Sequence, residues 1–224
     1  MIERTNGTPW PVYSRAEALA DGAVHVAGVT AALLAVPVMI TLAAVWHGDA
    51  PTVAAASVYG VSLIAMFLAS AGYHLVRPSR AKAVLRRLDH AAIFFKIAGT
   101  YTPFAVLLAE EHAWAILGGM WTAAVLGAVF KIVAPDRCEW VHIALYLGMG
   151  WAVVLIGEPM LARISAPTLV LIVTGGALYS VGVIFHLWER LPFQNAIWHG
   201  FVLVASFVFY AAVLIEVAAA GSAP

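Results

Sequence analysis

The chain is predicted to be an all-α integral membrane protein, a bundle of seven transmembrane helices. Three observations predict it. Of 224 residues, 63% are apolar and 11% charged, against about 45–50% and about 25% in a soluble domain. The apolar residues gather into seven segments, each near the roughly 20 residues that cross about 30 Å of hydrocarbon. Short polar breaks, several marked by proline, part them. Mean hydropathy is +0.92. Formal net charge is zero, and no basic face suits nucleic acid. Cys138 is the single cysteine, which rules out an intrachain disulfide and a four-cysteine zinc cluster. There is no P-loop, GxSxG or HExxH motif.

Residues 1–21 read as a polar N-terminal segment with a helical lead-in from Arg15 to Asp21. It lacks the apolar core of a signal peptide, so the first span is expected to serve as the targeting signal. The spans fall near 22–46, 52–76, 88–109, 113–133, 139–157, 165–187 and 195–219. They form one domain over 22–219, followed by a tail of 220–224. Pro159, Pro167 and Pro192 mark the last two breaks, and the fifth span is the shortest. The tryptophans cluster near span ends, as an aromatic belt would. Pro103, in GTYTP, should kink the third span by removing a backbone donor, with threonine hydroxyls meeting the freed carbonyls.

Orientation follows from the basic residues. With the basic loop 77–87 placed in the cytoplasm, 12 Lys and Arg leave only Arg163 outside and Lys96 within a span. The N-terminus is then cytoplasmic and the C-terminus outside. That arrangement brings polar groups from four distant stretches to one inner level: the stripe Glu17, Asp21 and His25, then Ser70 and His74, then Asp89, then Asn195 and His199. Ionisable groups at that depth are costly and mark a functional site. His47 and His112 fall at outer ends.

His74 and His199 fit zinc, for which neutral imidazole is a good ligand; paired interfacial histidines are the alternative. Asp89 would support a ligand or act as the base for a water, or else pair with Arg86 or Arg87. Ser70 would orient a ligand or simply pack as a small residue. The Glu17, Asp21 and His25 stripe is either a supporting shell or a solvated helix start. His90 reads as a packing or capping residue, and His142 and His186 as interfacial histidines. Lys96 lies seven residues beyond Asp89, about 10 Å deeper. It is expected to face the bundle interior, pairing with Asp89 through water or binding a lipid carboxylate or phosphate.

The pattern S-x3-H at Ser70 and His74, LDHAAI at 88–93 and AGTYTPF at 98–104 resembles the hemolysin III proteins of bacteria, a branch of the progestin and adiponectin receptor superfamily. YSRAE at 13–17, YLGMGW at 146–151, GGALYSVG at 175–182 and AIWHGFVL at 196–203 extend the resemblance over nearly the whole chain. It implies seven helices with the N-terminus inside, in the bacterial inner membrane. It also implies a zinc ion near the inner leaflet, held by His74 and His199, with Asp89 holding the catalytic water. The chain departs from the pattern at Asn195, where the family has a further histidine ligand. Asp21 replaces the usual asparagine before His25, and Lys96 replaces an apolar residue. An amide oxygen is a poor zinc ligand beside imidazole, so the resemblance implies a weakened site.

The activity so implied is a zinc-dependent hydrolysis of ceramide-like lipid amides, with Asp89 and Ser70 as catalytic residues and membrane lipids as partners. The competing reading is a non-enzymatic bilayer sensor or regulator in which the polar cluster is a structural staple. A pore ranks last, because no span carries a sustained polar stripe.

Overall fold

The computed structural model describes residues 13–77, 79–108, 111–134, 139–156 and 164–221. Cys138, Pro159, Arg163 and residues 222–224 lie outside the described residues, and so do the expectations placed on them. Among those described, the chain forms seven α-helices and no strand. They are α1 (Arg15–Trp46), α2 (Ala50–Leu75), α3 (Arg80–Leu108), α4 (Glu111–Val133), α5 (Glu139–Ile156), α6 (Ala166–Leu187) and α7 (Gln194–Gly221). Five of them, α1, α2, α4, α6 and α7, are long and apolar enough to cross a membrane. The protein is a helical integral membrane bundle.

Local chemistry explains where the helices start. Ser14 caps α1 in a reciprocal box: its hydroxyl accepts the Glu17 amide at 3.2 Å, and Glu17 accepts the Ser14 amide at 2.9 Å. Asp49 caps α2 by accepting the Thr52 amide at 2.9 Å, which holds its carboxyl below the usual range. Ser79 accepts the Lys82 amide at 3.2 Å, and this start corrects the expected loop at 77–87. Arg80, Lys82, Arg86 and Arg87 are already helical, and Asp89 lies in the third turn of α3 rather than at its opening. Pro103 sits inside α3. The Thr100 and Thr102 hydroxyls donate to the Lys96 and Ala98 carbonyls at 2.8 and 3.1 Å. They therefore bond back one turn and do not serve the Gly99 carbonyl that Pro103 leaves unpaired.

Sequential helices pack as neighbours, and α1 also packs against α7, bringing the first and last helices side by side. Small residues permit the tightest approaches. A methyl on Gly99 would lie 2.3 Å from the Ser62 hydroxyl of α2, and one on Gly60 would lie 2.3 Å from a Val36 methyl of α1. At the end of the bundle opposite Asp89, Glu216 of α7 is buried and caps α6 from outside. It accepts the Ser165 amide at 3.1 Å and the Ser165 hydroxyl at 2.8 Å. Glu216→Ala strands those donors and is expected to cost about 1–3 kcal/mol. Thermal unfolding in detergent measures it, and Glu216→Gln, which keeps an acceptor oxygen, should lose less.

Candidate metal centre

Three helices build the centre. Asp21 and His25 lie one turn apart on α1, His74 sits at the end of α2, and His199 lies in the second turn of α7. Each offers one ligand atom, and the four atoms lie within 4.8 Å of one another. The imidazoles meet edge to face: His25 and His199 have centroids 4.4 Å apart, as do His74 and His199.

The hydrogen bonds fix which nitrogen is available. His25 Nδ1 is 2.8 Å from the Asp21 carbonyl oxygen, which can only accept. The proton is therefore on Nδ1, and Nε2 keeps its lone pair, 3.2 Å from the Ser70 hydroxyl. The Asp21 carboxylate lies 2.6 Å from His199 Nδ1 and 3.3 Å from His74 Nδ1. As an acceptor it places the protons of both rings on Nδ1 as well. Three Nε2 lone pairs are thus presented by rings whose other nitrogen is anchored, the arrangement that orients histidine ligands around metals. Two ligands about 2.1 Å from one tetrahedral ion lie about 3.4 Å apart. The nitrogen-rich donor set, with one carboxylate, suits zinc.

Asp89 is buried and faces the same cluster, with Oδ2 4.0 Å from His74 Nε2. A cavity of about 290 Å³ opens beside it. Its lining follows α3 from Asp89 through Ile93, Lys96, Ile97 and Tyr101 to Phe104, and includes Met66, Phe67 and Val202 from α2 and α7. It is a polar end joined to an apolar slot.

The structure thus gathers Ser70, His74, Asp89 and His199, the residues read from the sequence, and adds two that had been left open. Asp21 and His25 stand in the cluster itself; the spacing of four in the Glu17, Asp21 and His25 stripe was their signal. Asn195 does something else. Its amide donates to the Tyr13 hydroxyl at 2.6 Å, and burial pushes that phenol up to about 12. Beside it, Glu17 accepts the amide of Phe193 at 3.1 Å, a residue held at φ 60°. These contacts tie the start of α1 to the loop before α7. A third imidazole, that of His25, stands in the cluster that was expected to hold two. The Lys96 ammonium faces the bundle interior as expected and lies over the rings of Tyr179 and Phe209. His90 gives its carbonyl to the Tyr146 hydroxyl at 2.9 Å; His142, expected at the interface, is buried and stacks on Phe130.

Fold and site together define a multi-pass helical membrane protein with a histidine and aspartate cluster at one end of the bundle. Residues 14–210 match the family model described as Haemolysin-III related, and the chain belongs to that family. It is 39% identical to Hemolysin-3 of Bacillus cereus over 204 residues, 90% of this chain and 92% of that one. It is 35% identical to a Hemolysin-3 homolog of Bacillus subtilis (strain 168) over 206 residues, 91% and 95% of the two chains. It is also 31% identical to the Monocyte to macrophage differentiation factor of Homo sapiens over 169 residues, 70% and 67% of the two chains. That likeness supports membership of the wider receptor superfamily.

Proposed function

We propose that the protein is a zinc-dependent hydrolase of ceramide-like lipid amides, acting in the inner leaflet of a bacterial plasma membrane and serving membrane-lipid homeostasis. The observation that carries this reading is the joining of two parts. A cluster of three imidazoles and a carboxylate, faced by the buried Asp89, opens into a slot whose wall is largely apolar, with Lys96 as one of its charged residues. His25, His74 and His199 would hold the ion, with Asp21 as a further ligand or as the anchor of the rings. A bound zinc ion supplies Lewis-acid polarisation of the scissile carbonyl and makes water more acidic. The chain's own residues do the rest. The slot holds the acyl chain and excludes bulk water, and the Ser70 hydroxyl, which also bonds the Asp89 carboxylate, steadies that carboxylate once His25 Nε2 is given to the ion. Asp89 takes the proton of the attacking water at its carboxylate and returns it to the departing amine. Water and amide thereby become a fatty acid and an amine.

The regulator reading draws on two contacts of one carboxylate. Asp21 lies 2.6 Å from His199 Nδ1 and 3.3 Å from His74 Nδ1, so the cluster can staple α1, α2 and α7 without chemistry. One experiment separates the two. The protein is purified, its metal measured by elemental analysis, and release of fatty acid from a ceramide-like amide followed. Asp89→Asn is expected to keep the metal and lower turnover by about 100-fold or more. Absence of both metal and product release would overturn the hydrolase and leave the staple.

A further inference from the structure

Lys96 is buried at 3% exposure and lines the cavity, yet no carboxylate among the described residues pairs with it. Its ammonium lies 4.7 Å from the centroid of Tyr179 and 4.8 Å from that of Phe209. Ring faces attract a cation but do not neutralise it, and an uncompensated charge in such surroundings is strongly penalised. The neighbouring polar groups are already committed. Thr100 donates to the Lys96 carbonyl, Tyr101 to the Met149 carbonyl at 2.8 Å, and Ser180 to the Gly176 carbonyl at 2.8 Å.

The two rings are themselves held in place. The Tyr179 hydroxyl bonds Ser206 at 2.7 Å. Phe209 fills the space left by Gly175, where a methyl would lie 2.7 Å from its ring. The ammonium is thus fixed, lipophilic on two sides and open to the cavity on a third.

We propose that Lys96 is an anion-binding subsite, taking the head of a singly charged, single-chain amphiphile such as a long-chain carboxylate. One ammonium neutralises one negative charge. A dianionic alkyl phosphate would leave net charge buried, which favours the carboxylate. The subsite lies about 10 Å along α3 from Asp89. It shares the cavity with the proposed hydrolase but needs no metal.

The test is equilibrium binding of radiolabelled palmitate to the full chain in phosphatidylcholine nanodiscs with a metal chelator present, so that the outcome is independent of the hydrolase reading. Hexadecanol and hexadecyl phosphate are the competitors. Wild type should bind palmitate saturably, with hexadecanol competing at least about tenfold less well and hexadecyl phosphate also competing less well. Lys96→Met should lower palmitate affinity about tenfold or more while leaving hexadecanol unchanged, and Lys96→Arg should keep the preference for charge. Wild-type binding that ignores the charge of the head overturns the proposal, even if Lys96→Met fails to fold. So does a Lys96→Met protein that still prefers palmitate. Hexadecyl phosphate binding as tightly as palmitate would overturn the assignment of a singly charged head.

Discussion

Alanine at His25 is expected to weaken zinc binding as severely as alanine at His74 or His199, by about 100-fold or more. Losing one imidazole of three forfeits a few kcal/mol, and each 1.4 kcal/mol is about tenfold in affinity. The three rings meet within one cluster, so no one of them is expendable. Asn195→His, by contrast, should change affinity little. The Asn195 side chain is turned to Tyr13, and the third imidazole is already present. Competition titration with a zinc chelator ranks wild type, Asn195→His, His25→Ala, His74→Ala and His199→Ala. If His25→Ala binds like wild type while Asn195→His tightens binding, the ligands come from α2 and α7 alone and α1 has no part in the centre.

The second large effect is expected at Gly99. A methyl there would overlap the Ser62 hydroxyl at 2.3 Å and its β-carbon at 2.9 Å, and the hydroxyl is bonded to the Tyr59 carbonyl at 2.7 Å. Overpacking of this kind costs about 1–3 kcal/mol. It also pushes α2 from α3, and with them His74 from Asp89. Gly99→Ala is therefore expected to lower thermal stability in detergent and to weaken zinc retention together. Ser62→Gly on the same chain removes the clashing atoms, so the double variant should recover most of both losses. A double variant no better than Gly99→Ala would mean that the contact between these two helices is not the cause.

How far the sequence could be read depends on which physical signal each feature leaves. Hydropathy and proline placed the helices well, because burial in lipid leaves a continuous apolar run. The start of α3 was misread. Arg80 through Arg87 are polar, so their pattern does not show an apolar helix, and the Ser79 cap that begins it is a single side chain. His74, His199, Asp89 and Ser70 stood out because polar groups at one membrane level are costly. The weight of Asp21 and His25 could not be settled, since their spacing of four gives a face but not the direction in which α1 turns it. That rotation is set by contacts of α1 with α2 and α7. Asn195 occupies the right turn of α7 for a ligand, yet Tyr13, from the far end of the chain, claims its amide. Lys96 was correctly read as facing inward, but its rings come from α6 and α7 and leave no trace in the sequence near it.

The neighbours of the cluster carry a consequence for biogenesis. Asp21 and His199 touch across a sequence separation of 178, and the order of synthesis separates them by almost the whole chain. A nascent protein with six helices inserted holds Asp21, His25, His74 and Asp89 with no partner from the last one. The set of three imidazoles is thus complete only when α7 arrives beside α1. Ribosome-stalled chains ending before and after residue 199 would date that event, and a cation present at that moment would clasp the first helix to the last and seal the finished protein against premature release of its C-terminal helix.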